Sequence, residues 1–467
     1  MLFPTLQFIG FFTLVLALNG FVWDRPAARK ALLIAASYTF YAAWDVRFTA
    51  LMALVSLTAW LGGLGVTLGV TQARLRRFAR FASIALMLFV LGLFKYYDFF
   101  MLNLTRLLDG TALARDLTWM VLILPVGISF YTFQAISYVM DVDRGHVAAR
   151  RNPADVFLYI SFFPQLVAGP IVRAAHFLPQ IDAPIRPDAA ARAAAIVLIL
   201  SGLFKKMVVA NYLSVLLADP VFGLPEGQNW LSALAGVLAY TVQIYCDFSG
   251  YSDIAIGVAL LLGYRFHRNF NQPYRAASLR DFWQRWHISL STWIRDYLYI
   301  PLGGNHGSRL RQNVVLIATM TLAGLWHGAG WNFLLWGGLH GAGLAVERLF
   351  RRAGLGLPRL IAVPLVFTFV AALWIPFRAP GLADTLGLFA AFTRADALAA
   401  PALTPFALAL LALGLAMNAA PLSWRDAAEA ALARLGPVLQ ASLLGLGIWL
   451  LFAVTQDGVA PFIYFQF

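Results

Sequence analysis

His327 lies in the run Gly324-Leu325-Trp326-His327-Gly328-Ala329-Gly330-Trp331-Asn332, an ionisable ring among tryptophans and glycines with long apolar segments on either side. An imidazole has a free pKa of about 6.5, so in such surroundings it is either neutral and ready to take a proton or charged at a cost in desolvation. Ionisable residues inside membrane protein mark functional sites by default. The glycines let another backbone or a ligand approach closely. The competing reading is a histidine hydrogen-bonded in a helix-packing seam.

Three other segments carry chemistry. In 280–297, read as one helix, Trp286, Leu290, Trp293 and Tyr297 fall on one stripe, and His287, Ser291 and Arg295 fall on the next. An amphipathic helix lying at the membrane interface explains the Trp and Arg of that segment but does not require His287. In 245–253, Asp247 and Asp253 sit among hydroxyls, Tyr251 included, inside an apolar region. Carboxylates there must be paired or hydrated; they can orient a histidine, bind a substrate hydroxyl or, for Asp253, cap a helix end. Cys246 beside them can be drawn as an acyl-carrying nucleophile, but nothing basic adjoins it in sequence, and a small core residue is the simpler reading. In 162–173, Gln165 and Arg173 supply polar ends to a short, interrupted apolar segment read as re-entrant or interfacial; a kinked helix with a snorkelling arginine competes with that reading.

Several chemistries are not signalled. The histidines do not cluster as metal ligands, HExxH spacing is absent, and there is no phosphate loop or G-x-S-x-G elbow. Metal, nucleotide-hydrolysis and serine-hydrolase readings are therefore weak. The lone Cys246 excludes an internal disulfide.

The elements that must position these residues follow from composition. The chain has 467 residues, 61% hydrophobic and 12% charged, against about a quarter charged in a soluble globular chain. Apolar runs at 6–23, 31–44, 51–70, 81–100, 119–140, 193–209 and 231–245, with later ones near 360–374, 405–415 and 438–452, include several of the length that crosses a bilayer, about 20 residues. The reading is an all-α polytopic membrane protein, one integral-membrane domain over 1–467. Plain N-terminal spans fill 1–151, a core broken by Pro, Gly and charge fills 152–348, and plain C-terminal spans fill 349–467. Irregular backbone at membrane depth is tolerated where protein buries it or where it lines a wet cavity, so the chemistry is expected in the core.

The net charge of +13 is dispersed through short loops rather than gathered on one face, which argues against nucleic acid as a partner. Basic residues follow spans one, three and five (Arg25, Arg29, Lys30; Arg74, Arg76, Arg77, Arg80; Arg144, Arg150, Arg151). The positive-inside rule makes those loops cytoplasmic and the N-terminus external. No basic n-region or cleavage site marks a signal peptide, so the first span is expected to stay.

The chain resembles the membrane-bound O-acyltransferases, and within them the bacterial alginate O-acetyltransferase branch and its D-alanyl-transferring relatives. The resemblance rests on the 124–134 segment (Leu124-Pro125-Val126-Gly127-Ile128-Ser129 onward), the 163–173 and 247–253 segments, the 281–293 segment around Arg285-Trp286-His287-Ile288-Ser289-Leu290, Leu325-Trp326-His327-Gly328-Ala329 and the terminal 462–467 run. It implies a ring of roughly 11–13 transmembrane and re-entrant helices around a central tunnel. It also implies His327 as the catalytic histidine and His287 as its companion.

Acyl transfer needs a base for the acceptor hydroxyl, a polarised thioester carbonyl and exclusion of water. Trp283, Trp286 and Trp326 would wall the site and stack on sugar, with Ser291, Asn332, Asp247, Tyr251, Gln165 and Arg173 as further substrate-binding candidates. The expected reaction moves acetyl from a cytoplasmic donor, acetyl-CoA or an acetyl thioester derived from it, to an exported polysaccharide such as alginate. No bound cofactor and no metal are implied. Membrane lipid, the polysaccharide acceptor and periplasmic acetyl-transfer or polymer-binding proteins are the expected partners, and a bacterial inner membrane the expected location. Acetylated cellulose, D-alanylation of teichoic acid and a transporter or flippase are the alternatives.

Overall fold

Long apolar runs become helices in the structure, a computed structural model that describes residues 1–109, 111, 120–167, 169–396 and 403–455. The terminal 462–467 run of the resemblance and Ala168 lie outside the described residues. No strand occurs among the described residues. Among the described residues, six helices are long and apolar enough to cross a membrane, or seven if one sharply bent pair counts as a span. The chain divides into two compact units, the first comprising Met1–Arg186 with Leu262–Arg265 and the second Pro187–Leu261 with Phe266–Phe467.

In the first unit the helices are α1 (Leu6–Phe21), α2 (Pro26–Ala42), α3 (Arg47–Leu68), α4 (Ala73–Leu107), α5 (Ile128–Asp143), α6 (Pro153–Ser161), the single turn α7 (Phe163–Leu166) and α8 (Ala174–Asp182). Of the apolar run at 119–140, whose first residue lies outside the described residues, 120–127 is not helix and α5 begins only at Ile128. Gly127 ahead of it takes φ +75, and a Cβ there would strike the Leu166 carbonyl. Glycine is therefore required where the LPVGIS segment meets α7. The Phe162 hinge and the single turn after it keep 162–173 from forming a continuous helix, as its Pro and Gly suggest.

Charge draws the basic loops of this unit to one another. Arg76 and Arg80 both reach Asp143 (2.7 and 2.6 Å), Lys30 pairs with Asp155, and Arg150 pairs with Asp182 at 2.6 Å and approaches Asp155 at 3.7 Å. Arg29, counted from the sequence as a loop charge, is instead buried. Its Nε donates to Asn19 (3.0 Å) and its Nη2 to the Leu262 carbonyl (2.6 Å), with the guanidinium over Trp23.

The second unit contains α9 (Ala189–Gly223), α10 (Trp230–Leu261), α11 (Leu279–Arg285), α12 (Ile288–Ile294), α13 (Arg309–His327), α14 (Trp331–Arg352), α15 (Arg359–Arg378), α16 (Leu382–Ala391), α17 (Pro405–Ala419), α18 (Leu422–Ala433) and α19 (Pro437–Val454). α17 and α18 meet at 84°. Two apolar runs prove longer than their hydropathy implied. The 193–209 run continues through two π-helical stretches to Gly223. The 231–245 run continues straight through the charged 247–253 segment, which does not break the helix. Gly250 lets this part of α10 pack closely against α9, since a Cβ there would lie 2.7 Å from the Gly202 carbonyl.

Candidate active site

The α13–α14 hairpin sets the position of His327. Its two helices pack through glycines: a Cβ on Gly324 would strike the Phe333 carbonyl, and one on Gly337 the Met320 carbonyl. Only residues without a side chain let the two backbones come this close. His327 is the last residue of α13, followed by extended backbone at Gly328. It is 4% exposed. Trp336 of α14 meets its ring edge-on at 5.0 Å and Phe377 of α15 meets it at 5.3 Å.

His327 also lines one end of a cavity of about 630 Å³. Trp283, Leu290, Ser291, Thr319, Met320 and Ala323 line the cavity with it. Further along α13 the lining passes Leu316 and Gln312 and reaches Arg348, Arg351 and Arg352 of α14, with Arg280 and Arg295 from the neighbouring segment and Glu347 as the single carboxylate of the lining. From Gln312 to His327 the helix rises about 22 Å at 1.5 Å per residue. Tyr299 and Asn305 stand at the arginine end, where Arg348 Nη2 donates to the Tyr299 hydroxyl (3.1 Å) and Arg352 Nη2 to Gln312 (2.7 Å).

His287 is held by a device that a single 280–297 helix would not provide. The segment is two helices, and the break falls on His287 itself, whose φ is +42. A non-glycine residue in that region costs about 1 kcal/mol or more, and such strain gathers at functional sites. The stripes read from one continuous helix are corrected accordingly: Trp286 is extended and His287 precedes α12.

Asn269 secures the break. Its carbonyl accepts from Ile288 N (2.9 Å), and its Oδ1 accepts from Ser289 N (3.1 Å) and Ser289 Oγ (2.9 Å) and faces His287 Nδ1 at 3.3 Å. Its Nδ2 donates to Ser252 of α10 at 3.2 Å. Ser278 caps α11 by accepting from Asp281 N (3.0 Å), and Asp281 reaches back to Ala277 N at 3.3 Å. The His287 ring is fully buried, edge-on to Phe248 at 4.6 Å, and meets Trp326 at 6.3 Å. Trp326 in turn meets His327 at 5.0 Å, so one indole touches both imidazoles.

The protein matches the model of the membrane-bound O-acyltransferase family over residues 79–355, more than half of its length. The chain belongs to that family. It is 41% identical over 384 residues to a probable alginate O-acetylase from Azotobacter vinelandii, covering 80% of this chain and 74% of that one. It is 35% identical over 420 residues to a peptidoglycan O-acetyltransferase from Helicobacter pylori (83% and 78% covered). It is 29% identical over 239 residues to a teichoic acid D-alanyltransferase from Streptococcus thermophilus (49% and 57% covered). It is thus an O-acyltransferase and a multi-pass membrane protein.

The remaining candidate residues of this acyltransferase have varied surroundings. Trp286 is buried between Phe270 (5.0 Å) and Trp374 (5.0 Å), away from the cavity lining, whereas Trp283 and Ser291 belong to that lining. Ser291 Oγ donates to the Trp286 carbonyl at 3.1 Å. Asn332 directs its amide at the Pro376 and Ala379 carbonyls (3.0 and 2.8 Å), tying the start of α14 to the end of α15.

Asp247 is ion-paired with Lys206 at 2.5 Å, both nearly fully buried, and Tyr251 one turn on faces the same ammonium at 5.5 Å. Asp253 pairs with Lys205 in the middle of α10, so it caps no helix end. Cys246 is buried and free. In the first unit, Gln165 is buried with its amide donating to the Tyr159 carbonyl, and Arg173 is half-buried at the start of α8. No group of three potential metal ligands occurs among the described residues.

Sequence reasoning passed over Asn269, Lys205, Lys206 and the cavity arginines of α14, Arg348, Arg351 and Arg352. The two lysines carried a signal, since Phe204-Lys205-Lys206-Met207 places adjacent charges in an apolar run just as Asp247 and Asp253 do. Asn269 carried none.

Proposed function

We propose that this acyltransferase moves acetyl from a cytoplasmic thioester, acetyl-CoA or an acetyl thioester derived from it, to hydroxyls of an exported polysaccharide, with His327 as general base and His287 as its companion. The observation that carries this reading is the cavity with Arg348, Arg351 and Arg352 of α14 toward its Gln312 end, Arg280 and Arg295 in its lining, and a buried imidazole at the end of α13. An acyl donor with phosphates on a long thin arm suits it. Guanidinium groups favour phosphate by charge-assisted, bidentate hydrogen bonds, and a depth of about 22 Å matches an extended arm with its thioester at the far end.

In the proposed step the acceptor oxygen attacks the thioester carbonyl carbon while neutral His327 takes the hydroxyl proton. The C–S bond then breaks, the sulfur leaves with that proton, and the ester remains on the acceptor. His287 hydrogen-bonds the acceptor or the developing oxyanion. Direct transfer is preferred to an acyl-histidine intermediate. The aromatic rings around His327 exclude water that would hydrolyse the thioester.

Relatives named for alginate and for peptidoglycan support a polysaccharide acceptor, with alginate the first candidate. The D-alanyl relative matches only about half of this chain and supports that alternative less. Family membership favours acyl transfer over the transporter reading. The positive-inside rule assigns the basic loops of the first unit to the cytoplasm, which leaves the N-terminus outside in a bacterial inner membrane. Periplasmic acetyl-transfer or polymer-binding proteins are proposed as partners, with lipid around the spans.

The test is polymer-linked acetate in cells carrying wild type, His327→Ala or His287→Ala, at matched membrane levels. Loss of a general base lowers the rate about 10²–10⁴-fold. Near-normal acetate in the His327 variant would remove the mechanism.

A further inference from the structure

We infer that Asn269 is a positioning residue that fixes the tautomer of His287. Its side-chain carbonyl holds the ring proton on Nδ1, so that Nε2 serves the reaction by accepting a hydrogen. That role, though not the tautomer, rests on the acetyl-transfer reading above.

Ser289 N is a backbone amide that can only donate, and it meets the Asn269 side chain at 3.1 Å. The atom it meets must be the carbonyl oxygen Oδ1, which removes the usual ambiguity between the oxygen and nitrogen of a carboxamide. The other end of the amide agrees, since Nδ2 donates to Ser252 Oγ of α10 at 3.2 Å. His287 Nδ1 lies 3.3 Å from the same Oδ1. A carbonyl oxygen has no hydrogen to give, so this contact is a hydrogen bond only with the proton on Nδ1.

Ser289 Oγ is the rival donor, at 3.4 Å from Nδ1. It stands nearer to Oδ1, at 2.9 Å, and a hydroxyl has a single hydrogen. With that hydrogen given to Oδ1, both oxygens turn lone pairs toward Nδ1 and accept from one ring N–H. A bare Nδ1 would instead set its own lone pair against that of Oδ1. Turned over, the ring would place a carbon against Oδ1 and lose the bond.

The frame around the ring is fixed. Residue 287 has φ +42, the Asn269 carbonyl accepts from Ile288 N at 2.9 Å, and Phe248 meets the imidazole edge-on at 4.6 Å. The ring is fully buried, and burial favours its neutral form. A neutral imidazole with its proton on Nδ1 accepts at Nε2. Of the two roles left to His287, stabilising the oxyanion needs a donor and is excluded. The other is a hydroxyl of the acceptor, beside the one that His327 deprotonates; sugar units carry hydroxyls on adjacent carbons.

The test is solid-state NMR of the protein in membranes, labelled with 15N and 13C in histidine. The chain has seven histidines, so the His287 signal is taken from the difference between wild type and His287→Gln. We expect His287 to show a protonated Nδ1 and a bare Nε2. Asn269→Ala should move protons to Nε2, while Asn269→Asp and Ser289→Ala should leave Nδ1 protonated. Thiol release from acetyl-CoA by vesicles bearing the acceptor polymer gives the rates. A wrong tautomer disables a catalytic imidazole, so Asn269→Ala should lower kcat about tenfold or more with KM for acetyl-CoA little changed, and Asn269→Asp should keep more of the rate. A protonated Nε2 in wild type, an unmoved tautomer in Asn269→Ala, or a tautomer that moves in Ser289→Ala each overturns the proposal. If Asn269→Ala fails to accumulate, the wild-type and Ser289→Ala spectra decide: Nδ1 protonated in both supports it, and any other pattern overturns it. If wild-type vesicles release no thiol, the functional reading has failed, and the spectra alone then decide the tautomer.

Discussion

Replacing Asn269 by alanine removes several interactions at once: the cap on Ser289 N, the bond to Ser289 Oγ, the contact with His287 Nδ1 and the tie to Ser252. Loss of such a cap costs about 1 kcal/mol, a modest change in thermal midpoint. The rate should suffer more, because His287 is held in a left-handed conformation that relaxes once the clasp is gone. Asn269→Ala is expected to lower polymer acetate at least tenfold with nearly normal protein level, and Asn269→Asp, which keeps an accepting oxygen, to retain more. Cys246→Ala should leave turnover within twofold, and a large loss would reopen a thiol-borne acyl group. His327 announced itself in the sequence because it stands among tryptophans and glycines. Asn269 could not, for it lies 18 residues before His287 in a stretch without periodicity, and only the fold brings the two together.

At the level of elements, helix breaks and helix continuations follow from who pairs with whom. A pattern of three-and-four spacing over 280–297 reads as one helix, yet tertiary hydrogen bonds with Asn269 and Asn271 turn the chain at His287. The reverse holds for 247–253, where charge looked like a break but Lys205 and Lys206 neutralise it inside a continuous helix. Spans were legible from hydropathy; these two outcomes were not, because hydropathy carries no information about partners. The Lys206–Asp247 pair gives a direct test. Lys206→Met removes one partner of a buried ion pair, a loss of about 3–5 kcal/mol, visible as a fall in thermal midpoint and membrane level. Adding Asp247→Leu should recover much of it. The glycine seam gives another: Gly337→Ala places a Cβ against the Met320 carbonyl and must spread the α13–α14 hairpin. Overpacking of this kind costs about 1–3 kcal/mol, and displacement of His327 should cost more in kcat than in stability. Normal kcat in that variant would show that the hairpin spacing does not set the histidine.

At the scale of the molecule, the arginines and His327 stand at opposite ends of one cavity. Arg348→Ala and Arg351→Ala should therefore raise KM for acetyl-CoA about fivefold with little change in kcat, and the effect should shrink as ionic strength rises. Equal losses in kcat would place these residues nearer the chemistry than the cavity allows. The cavity's length has a further consequence. If the arginines grip the donor and His327 takes the proton, as proposed, the two are about 22 Å apart along α13, and a short surrogate such as an acetylated cysteamine could reach the histidine without touching the arginines. It would enter as a reactive end without its handle. The anchoring energy that holds the full donor's carbonyl in register would be missing, so the surrogate should turn over slowly even at saturation. Free nucleotide added beside it should not restore the rate, because the advantage lies in the tether itself.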